Sequence, residues 1–158
     1  MQTAIIDSPL GKLEINGDIS GIASVIFLDK EYFAVSETIP SELVEAVTQL
    51  KQYFDGERKE FNLKLFPEGT DFQKKVWAEL EKIPYGKTVS YQEIARRLGD
   101  PKVIRAAASA NGKNPISIII PCHRVIGSDG SLTGYAGGLQ KKKFLLDLES
   151  DWKQQSLF

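Results

Sequence analysis

The sequence is poor in the residues that form disulfides and metal sites. Its 158 residues include one cysteine, Cys122, and beside it one histidine, His123. A single cysteine forms no internal disulfide, and one cysteine with one histidine falls short of the four ligands of a structural zinc site. We therefore expect no metal and no cofactor, and a free thiol that needs a reducing compartment.

Long apolar runs and targeting signals are also missing. No apolar run is long enough to span a bilayer, and the stretch MQTAIIDSPLGKLEI lacks a basic region followed by an apolar core. The 42% hydrophobic and 26% charged content is that of an ordinary soluble globular protein. These features predict a cytoplasmic protein without a membrane partner, which we expect to be a monomer.

Charge is distributed unevenly, although the net charge is only -1. From Gly86 to Leu146, ten lysines and arginines stand against three acids, so this segment carries +7 and the remainder carries -8. Such an asymmetry is consistent with one half of the chain meeting a polyanion. A solvated face that happens to be basic explains the charge equally well.

Residues 1–66 have the pattern of an antiparallel sheet followed by a helix. TAIIDS, KLEIN and IASVIFL look like strands, and turn signals separate them. Ser41 then opens an amphipathic helix that ends at Gly56. Its predicted buried face consists of Leu43, Val47, Leu50 and Phe54. The irregular stretch ERKEFNLKLFPEG is the predicted connection to a second lobe.

Residues 70–150 have the pattern of a helical lobe. Thr70 begins a helix whose apolar stripe is Phe72, Val76, Trp77 and Leu80. The stretch SYQEIARRLGDPKVIRAAASANG then predicts two short helices joined by a tight turn. Ser90 and Glu93 fit a capping box, and Gly99 with Asp100 fits the turn. This is the pattern of a helix-turn-helix, with the second helix in the recognition position.

The second of these helices is unusually rich in small residues, with one long cation, Arg105, before the run Ala106–Ala110. Core helices carry larger apolar residues, whereas small side chains let another backbone come close. A helix tucked tightly against its neighbour fits this pattern. A helix pressed into a nucleic-acid groove fits it too, and together with the +7 charge we favour that interpretation.

The C-terminal segment predicts a buried strand, a glycine-rich loop and a last helix. SIII is the predicted strand, which Pro121 ends and RVI resumes. The helix LQKKKFLLDLE is expected to end near Glu149, with its lysines exposed and four apolar residues in the core: Leu139, Phe144, Leu145 and Leu148. Residues 151–158 are expected to form a flexible tail.

Cys122 and His123 are candidates for nucleophilic chemistry. A lone cysteine is more often a small buried hydrophobe, but a bend at Pro121, a neighbouring base and a basic surface that favours the thiolate all point the other way. Neighbours on extended backbone point to opposite faces, so a water would have to bridge thiol and imidazole. Glu149 could orient the imidazole, or it could merely end an amphipathic helix.

Three segments resemble one family. The family is that of the O6-alkylguanine-DNA alkyltransferases, or methylated-DNA–protein-cysteine methyltransferases. The similar segments, in the order of the chain, are FQKKVWAELEKIPYGKTVSYQEIA, IRAAASANGKNP and IPCHRVIGSDGSLTGYAGGLQKKKFLLDLE. The likeness runs from Thr70 to Glu149. It implies an α+β fold of two lobes: an N-terminal ribonuclease-H-like lobe with an antiparallel sheet, and a C-terminal helical lobe whose helix-turn-helix carries the active site.

The resemblance also implies a reaction. Cys122 would take the alkyl group from O6-alkylguanine, and from O4-alkylthymine, in double-stranded DNA, and each molecule would act once. His123 would deprotonate Cys122 through a water, and Glu149 would orient His123. Tyr91 would donate to N3 of guanine, and Asn114 would tie the recognition helix to the active-site loop.

Further residues follow from the same resemblance. The carbonyls of Cys122 and Val125 would read the guanine amino group, Tyr135 would cover the pocket, and the backbone N–H of Ala136 would lie near O6. Arg105 would fill the stack after the nucleotide flips out. Arg105, Ala106 and Ser90 are the predicted DNA contacts. The chain departs from some members at Ala136, where a serine often stands, and at Asn111, which replaces a larger apolar residue.

Three alternatives remain at this point. A lesion-binding protein of the alkyltransferase-like type resembles this family but lacks the cysteine, so Cys122 counts against it. A transcription regulator would need side chains that read base edges, and the alanine-rich helix has few. A cysteine hydrolase would use the same nucleophile on a different substrate.

Overall fold

The structure is a computed structural model that describes residues 1–29, 33–132, 134–135 and 137–156, with side chains described as far as Ser150. The chain forms two compact units. One contains Met1–Glu68 together with Pro115–Ser117, and the other contains Gly69–Asn114 and the chain from Ile118 onwards. Among the described helices, none has the length and apolar character needed to cross a membrane.

The first unit is built on a three-stranded antiparallel meander. Its strands are β1 (Gln2–Ile6), β2 (Lys12–Asp18) and β3 (Gly21–Leu28), in the order β1-β2-β3. Alternate residues of β2 are buried, as expected for a sheet with one face on the core. Beyond the meander, Val25 forms a parallel bridge with Ile116. The predicted antiparallel sheet is confirmed.

The helix of the first unit, α1 (Val44–Phe54), begins later than expected. Ser41–Leu43 form one turn of 3-10 helix, and no side chain caps either segment, so Ser41 is not the N-cap. Tyr53 is fully buried in place of the predicted Phe54, because Tyr53 packs against the ring of Phe61 at a centroid distance of 5.5 Å. The other predicted residues of this face, Leu43, Val47 and Leu50, are buried, so the error is a single residue, which corresponds to about 100° around the helix.

The described residues of the second unit form four α-helices and a short parallel strand pair. The helices are α2 (Asp71–Leu80), α3 (Tyr91–Arg97), α4 (Ile104–Gly112) and α5 (Leu139–Ser156). The pair is β4 (Val89–Ser90) with β5 (Val125–Ile126). Thr70 and Gln73 close a capping box at the start of α2. Trp77, fully buried, donates from Nε1 to the Ala110 carbonyl at 2.9 Å and so joins α2 to α4.

A short turn joins α3 to α4. Ser90 Oγ accepts from the Glu93 N–H at 3.0 Å, so it caps α3 as expected. The Glu93 carboxylate, however, binds Arg96 and Arg97 one turn along the helix instead of returning to the cap. Gly99 has φ 92°, and Asp100 then caps a 3-10 turn, Pro101–Val103, that leads into α4.

Three predictions for the C-terminal segment are wrong: the SIII strand, the end of the last helix, and which residues of that helix are buried. SIII forms turns rather than a strand, and Ile118 adopts φ 73°, a left-handed conformation that is costly for a β-branched residue. The last helix continues past Glu149 to Ser156, since the sequence after Glu149 contains no glycine or proline to stop it. On that helix Leu139 and Phe144 are 51% and 37% exposed, whereas Lys142 is fully buried.

Candidate active site around Cys122

Cys122 lies in a tight backbone turn that begins after Pro121. Cys122–Arg124 form a 3-10 helix, and the Cys122 N–H donates to the Ile120 carbonyl at 2.8 Å. The backbone here is helical and not extended, so the premise that neighbouring side chains point to opposite faces does not hold. In a 3-10 helix they diverge by about 120°. The thiol is buried, with Cys122 only 2% exposed.

His123 is held by a carboxylate from the last helix. Its Nε2 lies 2.7 Å from Oε2 of Glu149, and both side chains are buried. The second ring nitrogen, Nδ1, is also buried and makes no hydrogen bond to the part of the protein that the structure describes. The imidazole is thus fixed on one side and has an unused acceptor or donor on the other.

Arg124 also binds Glu149, and sequence reasoning did not identify it. Its Nε donates to Oε1 at 2.8 Å and its Nη2 to Oε2 at 3.1 Å. Nη1 donates to the Ile83 carbonyl at 2.7 Å, and the Gly86 N–H reaches Oε1 at 3.2 Å. The available signal was an arginine inside the otherwise apolar stretch IIIPCHRVI, because a buried guanidinium needs a carboxylate partner.

These contacts determine which protonation states the pair adopts. Burial alone would raise the pKa of Glu149, but hydrogen bonds and charge from His123 and Arg124 outweigh it and lower that pKa to about 2. Burial lowers the pKa of His123, although its hydrogen bond to Glu149 acts in the opposite direction. A neutral imidazole beside an ionised carboxylate carries its proton on Nε2. Nδ1 is therefore left as a proton acceptor.

The thiol itself is held in its protonated form. Burial raises the pKa of Cys122 to about 11, even though a hydrogen bond from Asn114 and the charge of Lys142 lower it. The expectation that a basic surface would favour the thiolate is therefore wrong, because desolvation is the larger effect. Asn114 also donates to the Ile120 carbonyl at 2.8 Å, which connects the end of α4 to the turn before Cys122.

Lys142 is the unexpected member of the site. Its Nζ donates to the Val125 carbonyl at 2.6 Å and lies 5.9 Å from the centre of the Tyr91 ring. The Val125 N–H in turn donates to the Cys122 carbonyl, which also lies 3.4 Å from Nδ2 of Asn111. The predicted exposure of this lysine is wrong, because three consecutive lysines on one helix cannot all face away from the core.

Comparisons with known proteins agree with this arrangement. The family described as 6-O-methylguanine DNA methyltransferase, DNA binding domain, matches residues 71–151, and its ribonuclease-like domain matches residues 1–67. The chain belongs to the 6-O-methylguanine DNA methyltransferase family. Both the resemblance inferred from the sequence and the two-part α+β fold class are confirmed.

Individual relatives match this chain over nearly its whole length. The methylated-DNA–protein-cysteine methyltransferase of Methanosarcina acetivorans is 51% identical over 153 residues, covering 94% of this chain and 98% of the relative. The constitutive enzyme of Bacillus subtilis is 44% identical, covering 90% and 92%. The crystal structure of Mycobacterium tuberculosis OGT in complex with DNA is 46% identical with a TM-score of 0.86, covering 96% and 94%.

The predicted DNA contacts lie on the outer side of α4 and at the start of α3. Arg105 and Ala106 are exposed, whereas Ala107, Ala110 and Asn111 are buried. The helix therefore packs tightly on one side and presents small residues with one arginine on the other. Ser90 is half-buried and its hydroxyl caps α3. A DNA contact by Ser90 stays a prediction.

The remaining predicted residues fall into two groups. Tyr91, whose hydroxyl is 3.5 Å from the Gly134 carbonyl, and Tyr135, which is 9% exposed, belong to the same unit as Cys122. Ala136 lies outside the described residues. Within the described ranges, no three His, Cys, Asp or Glu side chains are arranged to hold a metal ion.

Proposed function

We propose that this protein repairs DNA by transferring the methyl group of O6-methylguanine to Cys122. The sulfur attacks the methyl carbon, the carbon–oxygen bond breaks, and a thioether forms as the guanine is restored. Because a thioether is not hydrolysed under these conditions, each molecule reacts once. The observation that carries the proposal is the buried Glu149–His123 pair beside the only thiol of the chain.

The proton of the thiol leaves through His123. Nδ1 is the unprotonated nitrogen, so it accepts the proton, and a bridging water relays it because the two side chains diverge along the 3-10 turn. Glu149 then stabilises the resulting imidazolium. This relay is needed because burial keeps the pKa of Cys122 near 11. The Tyr91 hydroxyl donates a hydrogen bond to N3 of the departing guanine, which offsets the negative charge that develops on the base.

The substrate nucleotide is proposed to lie outside the DNA stack. Arg105 enters the space that it leaves, while Ala106 and Ser90 lie against the DNA backbone. The carbonyls of Cys122 and Val125 accept from the guanine amino group. Tyr135 covers the pocket, and the backbone N–H of Ala136 lies near O6. Asn114 keeps α4 and the Cys122 turn in a fixed relation.

The proposed partner is double-stranded DNA containing O6-alkylguanine, and O4-alkylthymine is a second substrate of the same type. A monomer in the cytoplasm suffices for this chemistry, since every proposed residue belongs to one chain and the thiol must stay reduced. Phosphate contacts from the basic segment would make binding weaken as salt rises.

Mass spectrometry after incubation with an O6-methylguanine duplex tests the proposal. We expect one methyl group on Cys122 and none on the Cys122→Ala variant, which should still bind the duplex because the thiol is the acceptor and not the DNA anchor. Binding of the duplex by wild type without any gain of mass would instead indicate a lesion-binding protein. Hydrolysis products without a modified cysteine would indicate a hydrolase.

A further inference from the structure

A fully buried lysine contacts the backbone of the proposed base pocket. Lys142 has no exposed surface, and its Nζ lies 2.6 Å from the Val125 carbonyl. Its neighbour Lys143 differs, since it is exposed and pairs with Asp147 at 2.7 Å across one helical turn. The burial of Lys142 is therefore not a general property of the lysines of α5 and needs an explanation of its own.

Burial of an ammonium group is costly, so a structural filler at this position would more naturally be apolar. Burial indeed lowers the pKa of Lys142. The hydrogen bond to Val125 is short and charge-assisted, which makes it stronger than an ordinary backbone contact. Because the Val125 N–H is also bound, to the Cys122 carbonyl, the amide and carbonyl groups of this residue are both held in place.

We infer that Lys142 is a positioning residue that makes the site selective for bases with a 2-amino group. The inference rests on the proposed function, in which the Val125 carbonyl accepts from the guanine amino group. A carbonyl oxygen has two lone pairs. Lys142 occupies one of them, and the carbonyl is thereby held with the second lone pair available to the base.

The charge of Lys142 has a separate and unselective effect. It lowers the pKa of the Cys122 thiol, and this assistance is the same whichever base carries the methyl group. Its contact with the Tyr91 ring is likewise independent of the 2-amino group. A selectivity ratio between two substrates that differ only in that group cancels both contributions and isolates the positioning role.

The experiment compares single-turnover rate constants on duplexes containing O6-methylguanine or O6-methylhypoxanthine, which lacks the 2-amino group. Wild type should favour guanine. In Lys142→Met this preference should fall by about two- to tenfold, the range that one net hydrogen bond provides. Lys143→Met removes the same charge one residue along the helix and should keep the wild-type ratio. Lys142→Gln, which retains a neutral donor, should give an intermediate ratio.

Three outcomes would overturn the inference. The first is an unchanged ratio of the two rate constants in a folded Lys142→Met variant. The second is an equal fall of that ratio in Lys143→Met. The third is a ratio near one in wild type, which would mean that the site does not select for the 2-amino group. Thermal unfolding followed by circular dichroism establishes which variants are folded. Absence of methyl transfer by wild type would instead refute the proposed function, so failure of the inference and failure of the proposed function are distinguishable.

Discussion

Glu149 is shared between two neighbouring residues: its Oε2 lies 2.7 Å from Nε2 of His123, and its Oε1 lies 2.8 Å from Nε of Arg124. One carboxylate therefore orients the proposed base and neutralises a buried guanidinium. Arg124 keeps Glu149 ionised, and the ionised carboxylate keeps the His123 proton on Nε2. The protonation of the imidazole thus depends in part on Arg124, through the carboxylate that the two residues share.

Replacing Glu149 with Gln should slow alkyl transfer roughly 10- to 100-fold, because a charge-assisted hydrogen bond to His123 is lost. The rate should recover in part as pH rises, since thiolate then forms without the base. Single-turnover transfer measured from neutral to alkaline pH checks both effects. Asp147→Asn, an exposed change on the same helix, is the control. Wild-type rates at neutral pH in the Gln variant would contradict the relay.

The same carboxylate should make folding sensitive to acid. Its pKa in the folded state, about 2, lies below the ordinary value of 4.5, so its contribution is present above pH 4.5 and is lost as pH falls towards 2. That contribution is about 3 kcal/mol at neutral pH. The difference in unfolding free energy between wild type and Glu149→Gln, measured by urea titration, should shrink across this window. A difference in unfolding free energy that stays constant over this pH range would argue against the lowered pKa of Glu149.

Arg124→Met should destabilise the protein by roughly 3–5 kcal/mol, because it leaves the buried Glu149 carboxylate without its guanidinium partner. Arg124→Lys should cost less, since it keeps the charge but not the two-point contact. Urea unfolding measures both. Arg96→Met removes an arginine whose side chain is 71% exposed and should change stability by less than about 1 kcal/mol. Similar losses at both positions would refute this view of Glu149.

Arg105→Ala should slow repair in duplex DNA while leaving the reaction with free O6-benzylguanine nearly unchanged. Flipping a nucleotide out of the stack costs a few kcal/mol, and a free base requires none of it. Lys102→Ala removes another exposed charge just before α4 and should weaken duplex binding only through salt-dependent attraction. Transfer rates of Arg105→Ala are measured in parallel on duplex DNA and on free O6-benzylguanine. An equal fall in rate on both substrates would exclude the proposed role of Arg105.

Ser90 combines an observed capping contact with a predicted DNA contact, and two substitutions separate them. Ser90→Ala removes the cap of α3 and should cost about 1 kcal/mol of stability. Ser90→Asp keeps a capping oxygen but places a negative charge near the phosphates. We expect wild-type stability for the Asp variant together with weaker duplex binding. Unchanged binding by Ser90→Asp would place Ser90 away from the DNA.

The features that could be predicted from sequence are those with local signals. Alternation and turn residues predicted β1–β3, and the Ser90 cap with Gly99 predicted the paired helices. SIII was misassigned because a short apolar run has the same composition in a strand and in a buried turn. In this segment Ile118 adopts a left-handed conformation, which a strand does not contain and which no local sequence signal indicates.

Buried charges were the least predictable part of the site. Arg124 and Lys142 have the same chemistry as the exposed cations around them, and only tertiary partners reveal their burial. The contact between Glu149 and His123 was anticipated from the sequence, but the contact between Glu149 and Arg124 was not. Tertiary structure decides such positions because burial of a charge depends on groups distant in sequence, such as the Ile83 carbonyl.

Pro115–Ser117 belong to the N-terminal unit although they lie within the sequence of the C-terminal unit. No single chain break therefore separates the two units. During synthesis, the N-terminal unit lacks the partner of Val25 until the ribosome has passed Ser117, by which point α2, α3 and α4 have all been synthesised. A fragment starting at Gly69 would carry this segment without the strand that binds it, five residues before the acceptor thiol. In such a fragment Ile116 would lack its partner Val25, in the segment that leads into the Cys122 turn.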